Sequence, residues 1–161
     1  MNKLEYIVVS KDDRDYISQC LKLINHDQDK NPNNFKHMDI IEISKYIVCA
    51  VKDNKVYGFV ALLENVLEDK DLFISQMAVD NTYIFESIGP NLIEFVKSHS
   101  RGYKKITTSA YKHQTKSIRF FEKMGFEKSE GYFDDFKFEL NAENISDSEI
   151  LTYTDDSIYL T

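Results

Sequence analysis

Apolar positions along the chain switch between two periods, and each switch marks an element. Leu4 to Val9 is an apolar-rich run of strand length, and Asp12 to Ile24 carries Tyr16, Ile17, Cys20, Leu21, Leu23 and Ile24 at helical spacing. Ser10 or Asp12 is placed to cap that helix, because a short side-chain oxygen there reaches the first free N–H groups. The polar stretch NHDQDKNPNNF at 25–35 follows, and Met38 to Ile43 reads as a short helix. YIVCAVK (46–52) and VYGFVALLE (56–64) flank the polar DNK, the pattern of two strands joined by a tight turn. DLFISQMAVD (71–80) is a third consecutive strand, and its continuous apolar character predicts burial on both faces.

From Gly89 the period becomes helical. Pro90 suits the first turn, where a missing N–H costs nothing, and Leu92, Ile93, Phe95 and Val96 form one apolar face that ends before Gly102. KKITTSAY (104–111) is a further strand, and Thr115 to Met124 a short helix with Ile118, Phe121 and Met124 aligned. Gly125 stands where a left-handed C-terminal cap is expected. Phe126 to Lys128, Tyr132 to Leu140 and Ser157 to Thr161 are strand-like, with an acidic loop between the last two. Hairpin strands followed by alternating strands and helices predict an α/β (α+β) fold in a single domain. It has a mixed central sheet of about seven strands flanked by about four helices, in the order β-α-α-β-β-β-α-β-α-β-β.

Composition narrows the partners. The 161 residues, 42% of them hydrophobic, are enough for one continuous core, and 11 Phe and 10 Tyr with no Trp make it aromatic-rich. A formal charge of -7 repels phosphate backbones, so nucleic acid is not expected as the main partner. Lys104, Lys105, Lys112, Lys116 and Arg119 nevertheless cluster in one stretch. Two readings stay open there: solvated charges around a strand and helix, or a local positive field that meets a polyanionic cofactor. The apolar run near the N-terminus is far shorter than the ~20 residues that span a bilayer, so no membrane is expected and a cytoplasmic location is. Cys20 and Cys49 show no spacing of a disulfide framework or ligand set and read as core residues. His26, His37, His99 and His113 show no ligand spacing, and no metal is expected.

The strand, loop and helix over 72–97 form a place where an anion can dock, since N–H groups at a helix start are unpaired. A second motif makes this more specific. Gln114-Thr-Lys-Ser117-Ile-Arg-Phe120-Phe121-Glu122-Lys123-Met124-Gly125-Phe126 resembles the N-x-x-A-x-x-F-Y-E-K-x-G-F stretch of the GNAT superfamily of acyl-CoA-dependent N-acetyltransferases. In MAVDNTYIFESIGPNLIEFV, Ile84, Ser87 and Gly89 fall where that family has Q/R, G and G/A around its pyrophosphate loop. The resemblance covers about residues 46 to 138, and the ends match by element order.

The resemblance implies acetyl-CoA as co-substrate and a small-molecule or peptide amine as acceptor, attacked directly in a ternary complex, and it leaves a homodimer open. It implies that Met77, Ala78 and Val79 pair with pantetheine through their main chain, and that the Val79 N–H polarises the thioester carbonyl. Pyrophosphate contacts fall on Ile84, Phe85, Ser87, Ile88 and Gly89, and further cofactor contacts on Gln114, Ser117, Phe121 and Lys123. Ile84, Glu86, Ser87 and Pro90 depart from the pattern in ways that weaken phosphate binding. Phe121 replaces the tyrosine assigned as general acid, which makes Tyr111 or His113 candidates for that role. Glu64, or Gln76 through a water, is the candidate base, and Tyr132, Phe133 and Phe136 either wall an acceptor pocket or pack as an edge strand. A GNAT fold that binds a ligand or protein without catalysis is the alternative, and an oligomeric module built on the last strand a third.

Overall fold

The computed structural model describes residues 3–27, 41–65, 71–80, 87–100 and 102–141. Seven strands are found, β1 (Glu5–Val9), β2 (Tyr46–Lys52), β3 (Lys55–Asn65), β4 (Asp71–Val79), β5 (Lys105–Tyr111), β6 (Glu127–Glu130) and β7 (Asp135–Asn141). The helices are α1 (Arg14–Asp27), α2 (Ile88–His99) and α3 (Thr115–Lys123), and residues 41–43 form a helical turn in the place of the expected second helix. The strands form a seven-stranded mixed sheet in the order β1-β2-β3-β4-β5-β7-β6, so the expected fold class holds. Residues 38–40 and the expected strand Ser157–Thr161 lie outside the described residues. No helix among the described residues is long and apolar enough to cross a membrane.

Contacts cluster into two units, Met1–Leu63 with Ser75–Val96, and Glu64–Ile74 with Lys97–Thr161. In the first unit, β1, β2 and β3 are antiparallel neighbours, and a two-residue turn joins β2 to β3. Asp53 and Asn54 both have positive φ (50° and 63°), the primed turn whose twist suits a hairpin. Ile47, Cys49 and Val51 of β2 and Phe59 and Ala61 of β3 pack with Ile17, Cys20 and Ile24 of α1. Val48 and Ala50, which point the other way, are equally buried, so both faces of β2 are covered. The cap of α1 is Asp13, not Ser10 or Asp12: its carboxylate accepts the Tyr16 N–H at 3.3 Å, while Ser10 Oγ accepts the Asp12 N–H at 3.1 Å. Three oxygen-bearing side chains in four residues compete here, and the turn made by the Asp13 N–H to Ser10 O bond decides among them.

α2 lies directly on backbone at Gly58. A Cβ there would stand 2.7 Å from Ile88 Cγ2, 3.3 Å from Ala78 O and 3.4 Å from Leu92 Cδ1, so the missing side chain lets helix and sheet approach.

In the second unit, β5 pairs with β7 along its whole length, from Lys105↔Asn141 to Tyr111↔Asp135, and β7 pairs with β6. α3 ends in a full Schellman arrangement: Phe126 N–H bonds Phe121 O at 3.0 Å, Gly125 N–H bonds Glu122 O at 3.1 Å, and Gly125 has φ 96°. Lys97 Nζ adds a bond to the Met124 carbonyl at 2.9 Å. The apolar contact that accompanies this cap is the Phe121 ring, 5.4 Å from Phe126 and 5.5 Å from Phe138 between centroids. Each buried ring contributes about 1.5–3 kcal/mol. The strand expected over 132–140 begins only at Asp135. Asp134 has φ 49°, and the Asp135 carboxylate accepts the Phe133 N–H at 2.9 Å, so Gly131 to Asp134 form a loop.

Candidate functional site

The ladder between β4 and β5 stops before either strand does. The β4–β5 ladder consists of Leu72↔Ile106 and Phe73↔Thr107, after which the Thr108 hydroxyl donates to Ile74 O at 3.0 Å. β4 continues to Val79, held on its other side by β3: Ser75 Oγ donates to Ala61 O at 3.2 Å, and Asp80 N–H to Tyr57 O at 2.8 Å. Ala78 points into the core of the first unit, whereas Gln76, Met77 and Val79 are half-buried.

α2 starts at Ser87, whose carbonyl accepts the Asn91 N–H at 2.9 Å and whose hydroxyl accepts Asn91 Nδ2 at 3.3 Å. Tyr6 also hydrogen-bonds Asn91; burial raises the Tyr6 phenol above its ordinary value, and that bond partly opposes the rise. Ser87 is exposed, Ile88 and Gly89 are buried, and Pro90 is the third helical residue, where its missing N–H breaks no helical bond. No acidic residue occupies the first turn of α2. Ile84, Phe85 and Glu86 lie outside the described residues.

The start of α3 is tied to the end of β5. Gln114 N–H donates to Tyr111 O at 2.9 Å, and Tyr111 N–H donates back to Gln114 Oε1 at 2.8 Å, so the Gln114 side chain serves the strand end and makes no cap bond to its helix. The Tyr111 ring is 55% exposed and stacks on His113 at 5.8 Å. Ser117 is half-buried. The basic stretch divides in two. Lys105 is spent on Asp71 (3.8 Å) and Glu139 (3.3 Å), and Lys112 on Glu130 (2.9 Å), whose hydrogen bond raises the Lys112 ammonium above its usual value. Lys116, Arg119 and Lys123, spaced three and four apart on one exposed face of α3, make no ion pair among the described residues.

The model of the Acetyltransferase (GNAT) family matches residues 13–126. This chain belongs to the GNAT acetyltransferase family. No curated protein matches it significantly in sequence. An acetyltransferase of the GNAT family from Bacillus cereus is similar in structure, with TM-score 0.66, 18% identity and coverage of 86% of this chain and 96% of that one. An aminoglycoside 6'-N-acetyltransferase complexed with coenzyme A gives TM-score 0.69 at 13% identity, covering 86% and 97%. A Salmonella typhimurium structure with its cofactor acetyl-CoA gives 0.65 at 13%, covering 88% and 95%.

Phe121 and Glu64, two further candidate site residues, each make contacts of their own. Phe121 is buried among Phe120, Phe126 and Phe138, as the apolar anchor of the α3 cap. Glu64 accepts the Tyr103 hydroxyl at 3.1 Å and lies seven residues along β3 from Tyr57. That is roughly 23 Å of extended strand, so β3 does not bring Glu64 to its Tyr57 end. The GNAT chain also presents aromatics that strand periodicity hid. Tyr132 and Phe133 are 83% and 81% exposed. Their loop is fixed by Gly131 N–H to Asp135 O (2.9 Å) and Lys112 N–H to Asp134 O (3.0 Å), and Lys137 Nζ lies 4.3 Å over the Tyr132 ring. Phe136 is not part of this exposed pair: Lys112 and Lys128 sit over its ring at 5.1 and 4.6 Å.

Proposed function

We propose that this protein, folded as one domain, is an acetyl-CoA-dependent N-acetyltransferase that acetylates a primary amine. The observation that carries the reading is β4, which runs on to Val79 after its ladder with β5 ends at Phe73. Main-chain groups of Gln76 to Val79 without a parallel partner strand suit an extended polar thread such as pantetheine. The Val79 N–H is the donor for the thioester oxygen, whose charge grows as the amine attacks. The bound thioester supplies an activated acyl group: a C–N bond forms, the C–S bond breaks, the amine loses a proton and the thiol leaves.

Each remaining element has a matching task. N–H groups at Ser87 to Gly89 are the donors proposed for pyrophosphate. Tyr111 is the residue for protonating the leaving thiolate, since its phenol is exposed and its backbone is fixed by Gln114. A free thiol has a pKa of about 8.5, so a thiolate leaves slowly even unaided. Tyr132 and Phe133 offer an apolar surface for the body of the acceptor. The packed position of Phe121 favours one alternative, binding of acetyl-CoA without turnover.

The test is a thermal melt with acetyl-CoA followed by thiol release with a panel of primary amines. A ligand at a hundred times its Kd stabilises by about 2.7 kcal/mol, which is a shift of several degrees. No shift at millimolar acetyl-CoA ends the reading. A shift without thiol release for any amine selects the alternative.

A further inference from the structure

Cys20 of α1 and Cys49 of β2 have their sulfurs 3.6 Å apart, both at 0% exposure, and both are free thiols. Cys20 lies on the buried stripe of α1, one turn from Ile17 and from Ile24. Cys49 lies mid-strand, paired with Ile7 on one side and Phe59 on the other. Helix and strand thus aim the two groups at each other from rigid elements. A disulfide requires an approach to about 2.05 Å, a closure of ~1.5 Å from the separation in the reduced protein.

We propose that Cys20 and Cys49 are a latent disulfide, which a small disulfide oxidant closes when α1 opens, stapling the helix to the sheet. Burial keeps both sulfurs from an oxidant while α1 is docked, and the hydrogen bond shared with Cys20, together with burial, raises the Cys49 thiol above its ordinary value. Opening exposes them. One thiolate then attacks the oxidant's S–S bond, forming a mixed disulfide and releasing one thiol. The second thiolate attacks the protein sulfur of that mixed disulfide and releases the other thiol. Two S–H bonds of the protein are lost, one S–S bond is gained, and the oxidant leaves as two thiols. The sulfurs are 29 residues apart in sequence, and a loop of that length predicts a rise in Tm on the order of 10 °C.

The test incubates the full chain with oxidised glutathione and reads intact mass and Tm without reductant. The expected product is monomeric, lighter by two hydrogens, yields a linked Cys20–Cys49 peptide on digestion, melts higher, and reverts with reductant. Low urea speeds its formation in parallel with hydrogen exchange of α1 amides. Wild-type protein that keeps a glutathione adduct, dimerises, melts lower once bridged, or stays reduced even in urea overturns the proposal. Cys20→Ala, where it folds, must keep the adduct on Cys49; a linked product from that variant also overturns it.

Discussion

In the first unit Ile47, Val48, Cys49 and Ala50 of β2 are all fully buried, whereas in the second unit all four residues of β6 face solvent and the loop after it holds Tyr132 and Phe133 outside. The first unit is built mainly from aliphatic side chains, with Phe59 and two thiols, and has two β2 faces to cover. The second is built around the rings of Phe121, Phe126 and Phe138 and carries Lys116, Arg119 and Lys123 without ion partners among the described residues. The difference teaches where to look for function. Among the described residues the first unit exposes one large aliphatic side chain, Ile43, beside charged residues such as Arg14 and Lys22, while the second exposes the aromatic side chains of Tyr111, Tyr132 and Phe133.

The comparison breaks most visibly at the ring cluster. Phe121→Ala should cost about 3–5 kcal/mol by urea unfolding, since it empties the core of the second unit and removes the anchor of the α3 cap. A loss under 1 kcal/mol would show that the rings are replaceable. In the first unit, Gly58→Ala should cost about 1–3 kcal/mol, because Ile88 can yield but Ala78 O is backbone. Asp13→Ala should cost about 1 kcal/mol, measured the same way, with Ser10→Ala and Asp12→Ala smaller. The smallest stability effect belongs to Tyr132→Ala with Phe133→Ala, within about 0.5 kcal/mol of zero, and acetylation assays should register it as a raised acceptor KM. An unchanged KM would leave the exposed rings without a role in the acceptor site.

The strand over 46–52 was legible because burial on both faces leaves a nearly unbroken apolar run, whereas the strand over 71–79 is there but not buried on both faces as expected, since Phe73, Ser75, Gln76, Met77 and Val79 are only half-buried. The α3 cap was legible for a different reason, a glycine followed by an aromatic at the spacing that a Schellman turn requires. The start of β7 was not, since aromatics are enriched in strands and nothing in the identity of Tyr132 and Phe133 reveals that the Asp135 carboxylate takes the Phe133 N–H and holds them in a loop. The bond that Glu64 accepts from the Tyr103 hydroxyl was not legible either, because local sequence does not say which side chain meets a strand end. Phe121 hid a double meaning: the motif position proposed for an acid also serves as the packed anchor of a helix terminus, and only coordinates separate the two roles.

The Gln19 side chain of α1 reaches the hairpin at two points, donating to Asn54 O at 3.0 Å and accepting the Val56 N–H at 2.7 Å. One strand amide therefore owes its protection to a helix. Its solvent-exchange clock should run with the undocking of α1 and not with the opening of the ladder, which makes Val56 an isotopic gauge of that helix in the intact protein.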